Sequence, residues 1–518
     1  MRVAPLVLAG LVAVPAWSPV RRFLAAIFPS RVDEPCELGA DVVGGRVEPG
    51  AQAIVVPVRK KAWEASFGGE DAARPFVTAR LAGWPSRLTV DAAELPADDR
   101  ELVRRLANDT WRGLDAFTDR EHHLPVDHVH LGTGPAGRAG ARVGDYVNLT
   151  TVGLDLLAIV AAHDLGLVPR DGALARARGV LATLAELETH DGFFFNYYDT
   201  TTLERTSNLV SFVDSTWLAA ALIVVRNAFP ETWSDCTAIL ARQDYGFFYD
   251  PALGRMSHGY WVHLGARSRY HYGVLYAESR LGSVIAIGKG DVPEEHWFRM
   301  TRTFSPNCRW QTQEPHGRRR KTVRGHSFFG GWYEWRGERY VPSWGGSMFE
   351  ALMPTLVLDE ERLAPASLGA NDAAHVTVQQ RFAREELGWP VWGLSPSSTP
   401  TGQSYAEYGA RPLGALGYPA GAVTPHAALL ALPVAPGPAL TNLRALVTRF
   451  GAYGDYGLYD AVDPVSGAVA HTYLALDQAM ILVAAANWMA DGAVQRRFAA
   501  DPIVARALPV LAAERFFD

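Results

Sequence analysis

The sequence is poor in cysteine and contains no basic surplus. Three cysteines in 518 residues lie far apart, which excludes a disulfide-dense scaffold and the close spacings of zinc sites and CxxC redox pairs. Basic residues number 49 against 55 acidic ones, so nucleic acid is not an expected partner. There is no glycine-rich phosphate loop and no GxSxG turn. We therefore expect no cofactor and no phosphate or acyl chemistry.

The composition is that of a folded globular protein rich in aromatic residues. Hydrophobic residues make up 48% and charged residues 20% of the chain. The 15 Trp, 18 Tyr and 22 Phe often stand beside glycine, as in FFFNYYDT (193–200) and FFGGWYEW (328–335). Aromatic rings on tight turns suit stacking against sugar rings, although the same rings could fill a large core.

Three regions are distinguished along the chain. Residues 1–30 contain a short apolar stretch that is either a signal segment or an apolar leader, so export and a cytoplasmic location are equally expected. Residues 31–95 form an extended lead-in with short β segments, and residues 96–518 are mainly helical. No later segment has the length and apolarity of a transmembrane anchor.

The helical region alternates between two kinds of helix, amphipathic ones and ones that are apolar on almost every face. Such an alternation over about 400 residues predicts an all-α fold, an (α/α)6 barrel, because its inner helices are enclosed and its outer ones are not. The segment 302–345 lacks helical periodicity and is predicted to be a loop insertion, whose basic run 318–321 is solvated. The predicted helices are 98–117, 152–169, 173–190, 212–228, 275–288, 347–358, 423–432, 439–450 and 473–490.

Four carboxylates lie on apolar helix faces, where an unpaired charge is costly. They are Asp214, Glu278, Glu350 and Asp477, each near the N-terminal end of a predicted inner helix. One alternative is that they cap helices or interact with helix dipoles. Their recurrence on four helices favours a shared pocket, where acid and base roles can be divided between carboxyl groups as glycoside cleavage requires.

Histidines cluster in EHHLPVDHVH (121–130), which also contains two acids. The segment lacks the helical i, i+4 spacing of metal ligands and has no cysteine beside it. We therefore expect no metal site there.

Long stretches of the chain resemble a known family. The glycoamylase-like region of bacterial β-1,2-glucan enzymes, in the cyclisation domain of cyclic β-1,2-glucan synthases and more distantly in endo-β-1,2-glucanases, is similar in order from about 84 to 500. The resemblance implies an (α/α)6 barrel acting on β-1,2-glucan, by hydrolysis or by retaining transglycosylation. The matching segments are LANDTWRGLDAFTDREHHLPVDHV, VGDYVNLTTVGLDLLAIVAAHDLGLV, ESRLGSVIAIGKGDVPEEHWFR, WGGSMFEALMP, GDYGLYDAVDP and YLALDQAMILVAAANW.

The resemblance also implies site residues and reveals one departure. Glu278 matches a catalytic glutamate, a nucleophile in retaining members and an acid in inverting ones. A second family glutamate, in PWGISES, is replaced in VWGLSPS by Pro396. The missing carboxylate is predicted to be Asp460, since an inverting base stands off by one water, with Glu407 and then Asp214 as alternatives.

Three functions are compatible with these residues. The first is an inverting hydrolase of β-1,2-glucan or a related β-glucan, and the second is a transglycosylase with Glu278 as nucleophile. The third is a non-catalytic glucan-binding protein that lost its acid at Pro396. Sugar contacts are predicted for Glu350, Asp477, Trp344, Trp392, Tyr405, Tyr408, Tyr456 and Tyr459.

Overall fold

A computed structural model describes residues 79–401 and 404–518, together with the backbone of Glu64–Ser66. The predicted leader and the QAIVVPV segment of the lead-in lie outside these residues. The described end of the lead-in, 79–95, contains a 3-10 turn at Ala92–Glu94 and no strand. Among the described helices, none combines the length and apolarity needed to cross a membrane.

Helices form the bulk of the described structure. They are α1 (Asp99–Ala116), α2 (Leu149–Asp164), α3 (Arg170–Glu186), α4 (Phe212–Ala228), α5 (Trp233–Arg242), α6 (Arg280–Lys289), α7 (Glu295–Arg299), α8 (Met348–Leu352), α9 (Glu360–Leu363), α10 (Leu368–Arg381), α11 (Pro425–Leu430), α12 (Pro436–Phe450), α13 (Ala475–Met489), α14 (Ala493–Ala499) and α15 (Pro502–Leu511).

The strands are short, and every paired strand is antiparallel to its neighbour. They are β1 (Glu64–Ser66), β2 (His128–His130), β3 (Arg142–Gly144), β4 (Tyr146–Asn148), β5 (Thr189–His190), β6 (Phe193–Phe194), β7 (Tyr197–Asp199), β8 (Leu209–Ser211), β9 (Tyr249–Asp250), β10 (Arg255–Ser257), β11 (Gly259–Trp261), β12 (Ala266–Arg267), β13 (His271–Tyr272), β14 (His316–Val323), β15 (His326–Trp335), β16 (Glu338–Tyr340), β17 (Ser397–Ser398), β18 (Tyr405–Ala406), β19 (Tyr453–Gly454), β20 (Gly457–Leu458), β21 (Ala461–Val462), β22 (Val469–Ala470) and β23 (Thr472–Leu474).

Six helices contact one another in a closed order. Helix α13 packs on α2, α2 on α4 and α4 on α6, while α8 packs on α11 and α11 on α13. The Arg280 guanidinium of α6 joins the two ends of this series, because it donates hydrogen bonds to the backbone oxygens of Glu350 and Ala351 in α8. These six helices therefore enclose a common core.

Each of the six has an outer neighbour. Helix α1 packs on α13, α3 on α2, α5 on α4, α15 on α6, α10 on α8 and α12 on α11. The α6–α15 contact is close: a Cβ added to Gly288 would lie 2.1 Å from the backbone oxygen of Ile503, and Arg506 Nε donates to the Gly288 oxygen at 2.6 Å. This arrangement of inner and outer helices fits the alternation found in the sequence.

The α2–α4 contact shows why these helices tolerate small residues. A Cβ on Gly153 of α2 would lie 2.7 Å from the Trp217 backbone oxygen of α4, so glycine allows the two backbones to approach. Both helices are buried along nearly their whole length. Polar side chains cap their first turns: Asn148 accepts from the Thr151 amide and Ser211 from the Asp214 amide.

The structure corrects several predicted boundaries. The helix predicted at 275–288 begins only at Arg280, after a turn. The helix predicted at 347–358 ends at Leu352 and continues as a 3-10 helix over Met353–Leu356, where Pro354 cannot donate a backbone hydrogen bond. Three of the outer helices, α5, α10 and α15, were not predicted.

The segment predicted to be a loop insertion contains a three-stranded sheet, β14–β15–β16. Its basic run lies on β14, where the Arg318 and Arg320 guanidinium groups stand over the Phe329 ring at 3.7 and 4.8 Å. The loop prediction was wrong because the basic run obscured a strand whose cations pair with aromatic rings across the sheet.

Candidate active site

Glu278 stands two residues before α6 and is only 7% exposed. Its Oε2 has no hydrogen-bond partner among the described residues. Burial raises the pKa of this carboxyl to about 8, and the nearby charge of Glu350 contributes. Glu278 is therefore a neutral acid at pH 7, with one oxygen unengaged.

Asp214 lies in the first turn of α4. Its Oδ1 accepts a hydrogen bond from Thr150 Oγ1 at 2.7 Å, and burial raises its pKa. The Tyr272 hydroxyl interacts electrostatically with both acids: burial raises its pKa, and the charges of Glu278 and Asp214 raise it further. The two acids, at the starts of neighbouring helices, and Tyr272 of β13 therefore lie within electrostatic range of one another.

The geometry of Glu350 favours a structural role over the predicted sugar contact. Its Oε1 accepts from the Trp344 and Gly345 amides at 3.0 and 2.9 Å, and its Oε2 accepts from the Ser347 amide and hydroxyl at 3.0 and 2.8 Å. Together with Ser347 it forms a capping box at the start of α8. Both oxygens are occupied by protein donors, so the carboxylate organises the preceding turn.

Asp460 and Asp477 form a second buried group, together with His426 of α11. One polar atom from each of the three residues lies within 4.8 Å of the others. Asp460 Oδ2 accepts from the Ser398 amide at 2.7 Å, whereas its Oδ1 and both oxygens of Asp477 have no hydrogen-bond donor among the described residues. Burial raises the pKa of Asp460 well above its usual range, followed by the charge of Asp477.

Burial raises the pKa of Asp477 to about 7, and the adjacent Asp460 carboxyl opposes that rise. Two adjacent buried carboxyls cannot both ionise cheaply, so near neutral pH the pair holds about one proton. Burial lowers the pKa of His426 to about 4, which leaves its imidazole neutral. This pair can accept a proton, as a base must.

The same three residues are the candidate metal ligands within the described part of the chain. However, His426 Nδ1 lies only 2.5 Å from Asp477 Oδ2, in a contact that does not meet hydrogen-bond geometry. Two ligands about 2 Å from a shared ion stand about 3 Å apart. The His426–Asp477 contact is therefore shorter than the spacing of two ligands on one ion.

A cavity of about 400 Å³ opens at the N-terminal ends of α2 and α13. None of the predicted carboxylates lines the cavity, but two are hydrogen-bonded to residues of its walls or next to them. The lining residue Ser398 donates its amide to Asp460, and Thr150, the sequence neighbour of the lining residue Thr151, donates its hydroxyl to Asp214. The lining residues are Asp127, His128, His130, Arg142, Tyr146, Asn148, Thr151, Tyr197, Ser398, Ser404, Tyr405, Thr472, Leu474 and Leu476.

Most of the aromatic residues predicted to bind sugar are in the core. Trp344, Trp392, Tyr456 and Tyr459 are at most 6% exposed, so their ring faces are covered by protein. Only Tyr405, which is 53% exposed, lines the cavity.

The two other predicted residues of this region, Tyr408 and Glu407, do not line the cavity. Tyr408 is half-buried, and a Cβ on Gly421 would lie 2.0 Å from its ring. Glu407 is also half-buried. The cavity therefore supports neither as a direct contact to a bound sugar.

Sequence reasoning missed the polar residues of the cavity, namely Asp127, Arg142, Tyr146 and Tyr197. The signals were present: Asp127 stands in the histidine-rich segment, which was considered only for metal, and Tyr197 in FFFNYYDT. These segments meet because β2 pairs with β3 and β23, while β4 pairs with β7.

Comparisons with known proteins confirm the family resemblance. Residues 320–502 match the family model described as "Glycoamylase: Putative glucoamylase". The chain is 29% identical over 458 residues to the cyclic β-(1,2)-glucan synthase NdvB of Rhizobium meliloti (strain 1021). That match covers 82% of this chain but only 14% of the synthase, so the chain spans a small part of that relative.

Two solved structures share the fold. The β-1,2-glucanase of Parabacteroides distasonis has a TM-score of 0.64 at 16% identity, and the match covers 80% of this chain and 60% of that one. The endo-β-1,2-glucanase of Chitinophaga pinensis, solved with sophorotriose and glucose, has a TM-score of 0.61 at 16% identity, covering 81% and 99% respectively. At this level of identity the likeness concerns the fold.

Proposed function

We propose that the chain is a glycoside hydrolase acting on β-1,2-glucan, built on an (α/α)6 barrel. The closed order of six inner helices with six outer neighbours supports the barrel. The named substrates of the similar proteins support the glucan. The observation that carries the proposal is Glu278, a buried carboxyl that is neutral at pH 7 and keeps one oxygen unengaged at an inner-helix end.

The proposed reaction needs one acid and one base. Glu278 donates its proton to the glycosidic oxygen as the bond from that oxygen to the anomeric carbon breaks. A water attacks the anomeric carbon from the opposite face, and its proton passes to a carboxylate. The products are two shorter sugars, and the second carboxyl ends up protonated.

Asp460 is the preferred base, acting as one half of its pair with Asp477. The pair holds about one proton near neutral pH, so it retains one ionised carboxylate that can accept another. Ser398 connects Asp460 to the wall of the cavity. Asp214 is the alternative on the Glu278 side, and Glu407, which is half-buried where Asp460 is buried, ranks after Asp460.

The second candidate function is transglycosylation of β-1,2-glucan, with Glu278 as nucleophile. It is favoured by the 29% identity to a cyclic β-(1,2)-glucan synthase, against 16% to either glucanase. A nucleophile must be ionised, however, and the raised pKa of Glu278 favours the acid role.

Incubation with linear β-1,2-glucan tests these functions. The wild type, Glu278→Gln and the matched control Glu407→Gln are compared by chromatography of the products and by anomeric NMR. Hydrolysis predicts short sugars of inverted anomer from the wild type and the control, and none from Glu278→Gln. New linear or cyclic chains would instead indicate transglycosylation. Glucan binding without turnover by all three proteins would indicate a non-catalytic binding protein.

A further inference from the structure

The cavity at the ends of α2 and α13 is lined by none of the carboxylates to which the reaction is assigned. We propose that it is a sugar subsite for a hexose unit of a neutral glucan, with Asp127 accepting hydrogen bonds from sugar hydroxyls and Tyr405 covering one face of the ring. This inference rests on the proposed function, because it supplies a binding position for the same substrate. The volume of the cavity, about 400 Å³, is within the range of small-molecule sites.

Asp127 is held in place before any ligand binds. Its amide donates to the backbone oxygens of Gly144 and Tyr146 at 3.1 and 2.8 Å, and its own backbone oxygen accepts from the Ala475 amide at 2.9 Å. Its Oδ2 lies 2.9 Å from His128 Nδ1. A site fixed in this way loses little conformational entropy when it binds a sugar.

Gly144 is part of this construction. A Cβ at this position would lie 2.7 Å from His128 Nδ1 and 3.4 Å from the Asp127 Cβ. The absent side chain therefore gives the imidazole its place beside the carboxylate, and so helps to fix the direction in which Asp127 presents its other oxygen.

The charges in the cavity suit a neutral ligand that carries many hydroxyl groups. Asp127 is its one carboxylate and Arg142 its one guanidinium. Burial and the charge of Arg142 lower the pKa of His130 to about 4, so that this imidazole is neutral. Acceptors and donors without a net excess of either sign match sugar hydroxyls better than they match an anion or a cation.

Aromatic groups provide the apolar side of the site. Tyr146 and Tyr197 meet edge to face with their ring centroids 5.9 Å apart, and both line the cavity. Tyr405 is half-exposed. Burial raises the pKa of its hydroxyl well above the usual value, and the charges of Asp477 and Asp460 raise it further. Because Tyr405 lines the cavity and is half-exposed, part of its ring is free to cover a sugar face, as in a stacking platform.

The cavity lies beside the proposed chemistry. Burial raises the pKa of Tyr197, and the charges of Asp127 and Asp214 raise it further, so both acids lie within electrostatic range of this lining residue. On the other wall, Ser398 contacts Asp460. A hexose in the cavity would thus lie next to the residue that contacts Asp460 and next to a tyrosine within electrostatic range of Asp214.

Binding is measured by calorimetry with sophorose and sophorotriose, the β-1,2-linked di- and trisaccharides of glucose. The proteins carry Glu278→Gln, which prevents turnover in the proposed mechanism, and in addition Asp127→Asn, Tyr405→Ala or the control Asp491→Asn on the exposed surface. We expect Asp127→Asn to weaken binding by about tenfold or more, as the loss of a charged hydrogen-bond acceptor does. Tyr405→Ala should weaken it by several-fold, and Asp491→Asn should leave it unchanged.

A kinetic comparison in the otherwise wild-type protein separates binding from chemistry. Asp127→Asn should raise KM by a larger factor than it lowers kcat. Its urea unfolding midpoint should equal that of the Asp491→Asn control. Unchanged sugar affinity in folded Asp127→Asn and Tyr405→Ala would overturn the subsite. If the proposed hydrolysis fails but sugar binding depends on Asp127, the subsite stands and the protein is a binding protein.

Discussion

Replacing Glu278 by Gln should stabilise the protein while it abolishes turnover. Gln has nearly the shape of the protonated carboxyl but takes up no proton on folding. In the wild type the folded pKa is about 8 against an ordinary value of 4.5, so the folded state binds a proton that the unfolded state releases. Stability from this group is therefore greatest below pH 4.5 and is lost as the pH rises towards 8.

The magnitude follows from the size of the pKa shift. Each pH unit between 4.5 and 8 lowers the free energy of unfolding of the wild type by about 1.4 kcal/mol relative to that of the variant. The difference should be small at pH 5, about 3 kcal/mol at pH 7 and constant at about 5 kcal/mol above pH 8, as upper bounds. Urea unfolding of both proteins at pH 5, 6, 7 and 8 measures it. Curves that stay parallel at every pH would refute the neutral Glu278, and with it the acid role.

Three further predictions concern other parts of the structure. Asp477→Asn removes a negative charge from beside the Asp460 carboxylate, which should lower the pKa of Asp460. The ascending limb of the pH profile of kcat/KM, expected near pH 7, should therefore move to lower pH. A limb that does not move would argue against a base shared by the two residues. Gly153→Ala should destabilise by about 1–3 kcal/mol in urea unfolding, because its Cβ would meet the Trp217 backbone, and wild-type stability would contradict that close approach. Arg280→Met should cost about 3–5 kcal/mol by leaving the buried Glu360 carboxylate unpaired, and adding Glu360→Gln should recover part of that loss; no recovery would argue against the ion pair as the cause.

The helix pattern was accessible to sequence reasoning because enclosed helices are apolar on every face. The prediction of 212–228 coincides with α4, and the buried acids do lie at helix ends. The β14–β16 sheet was missed because its strand carries consecutive cations, which obscure the period-2 pattern.

The site was predicted less well, for a physical reason. A buried acid is conspicuous in a sequence because it breaks an apolar face, and Glu278 was found in this way. The cavity draws on several distant segments that meet through pairs of two or three residues each, too short to leave a periodic signal. Tyr456 and Tyr459 stand on a glycine-rich turn, but here the turn folds back into the core.

The close contact between α6 and α15 bears on how the chain is made. Helix α6 begins two residues after Glu278, yet its outer partner is synthesised more than 200 residues later. While the ribosome is still adding those residues, the surface at Gly288 faces solvent or a chaperone instead of the Ile503 backbone. The helix packing next to the proposed acid can therefore be completed only late in translation. Messages truncated before α15 should yield chains that aggregate or are degraded instead of accumulating as folded protein.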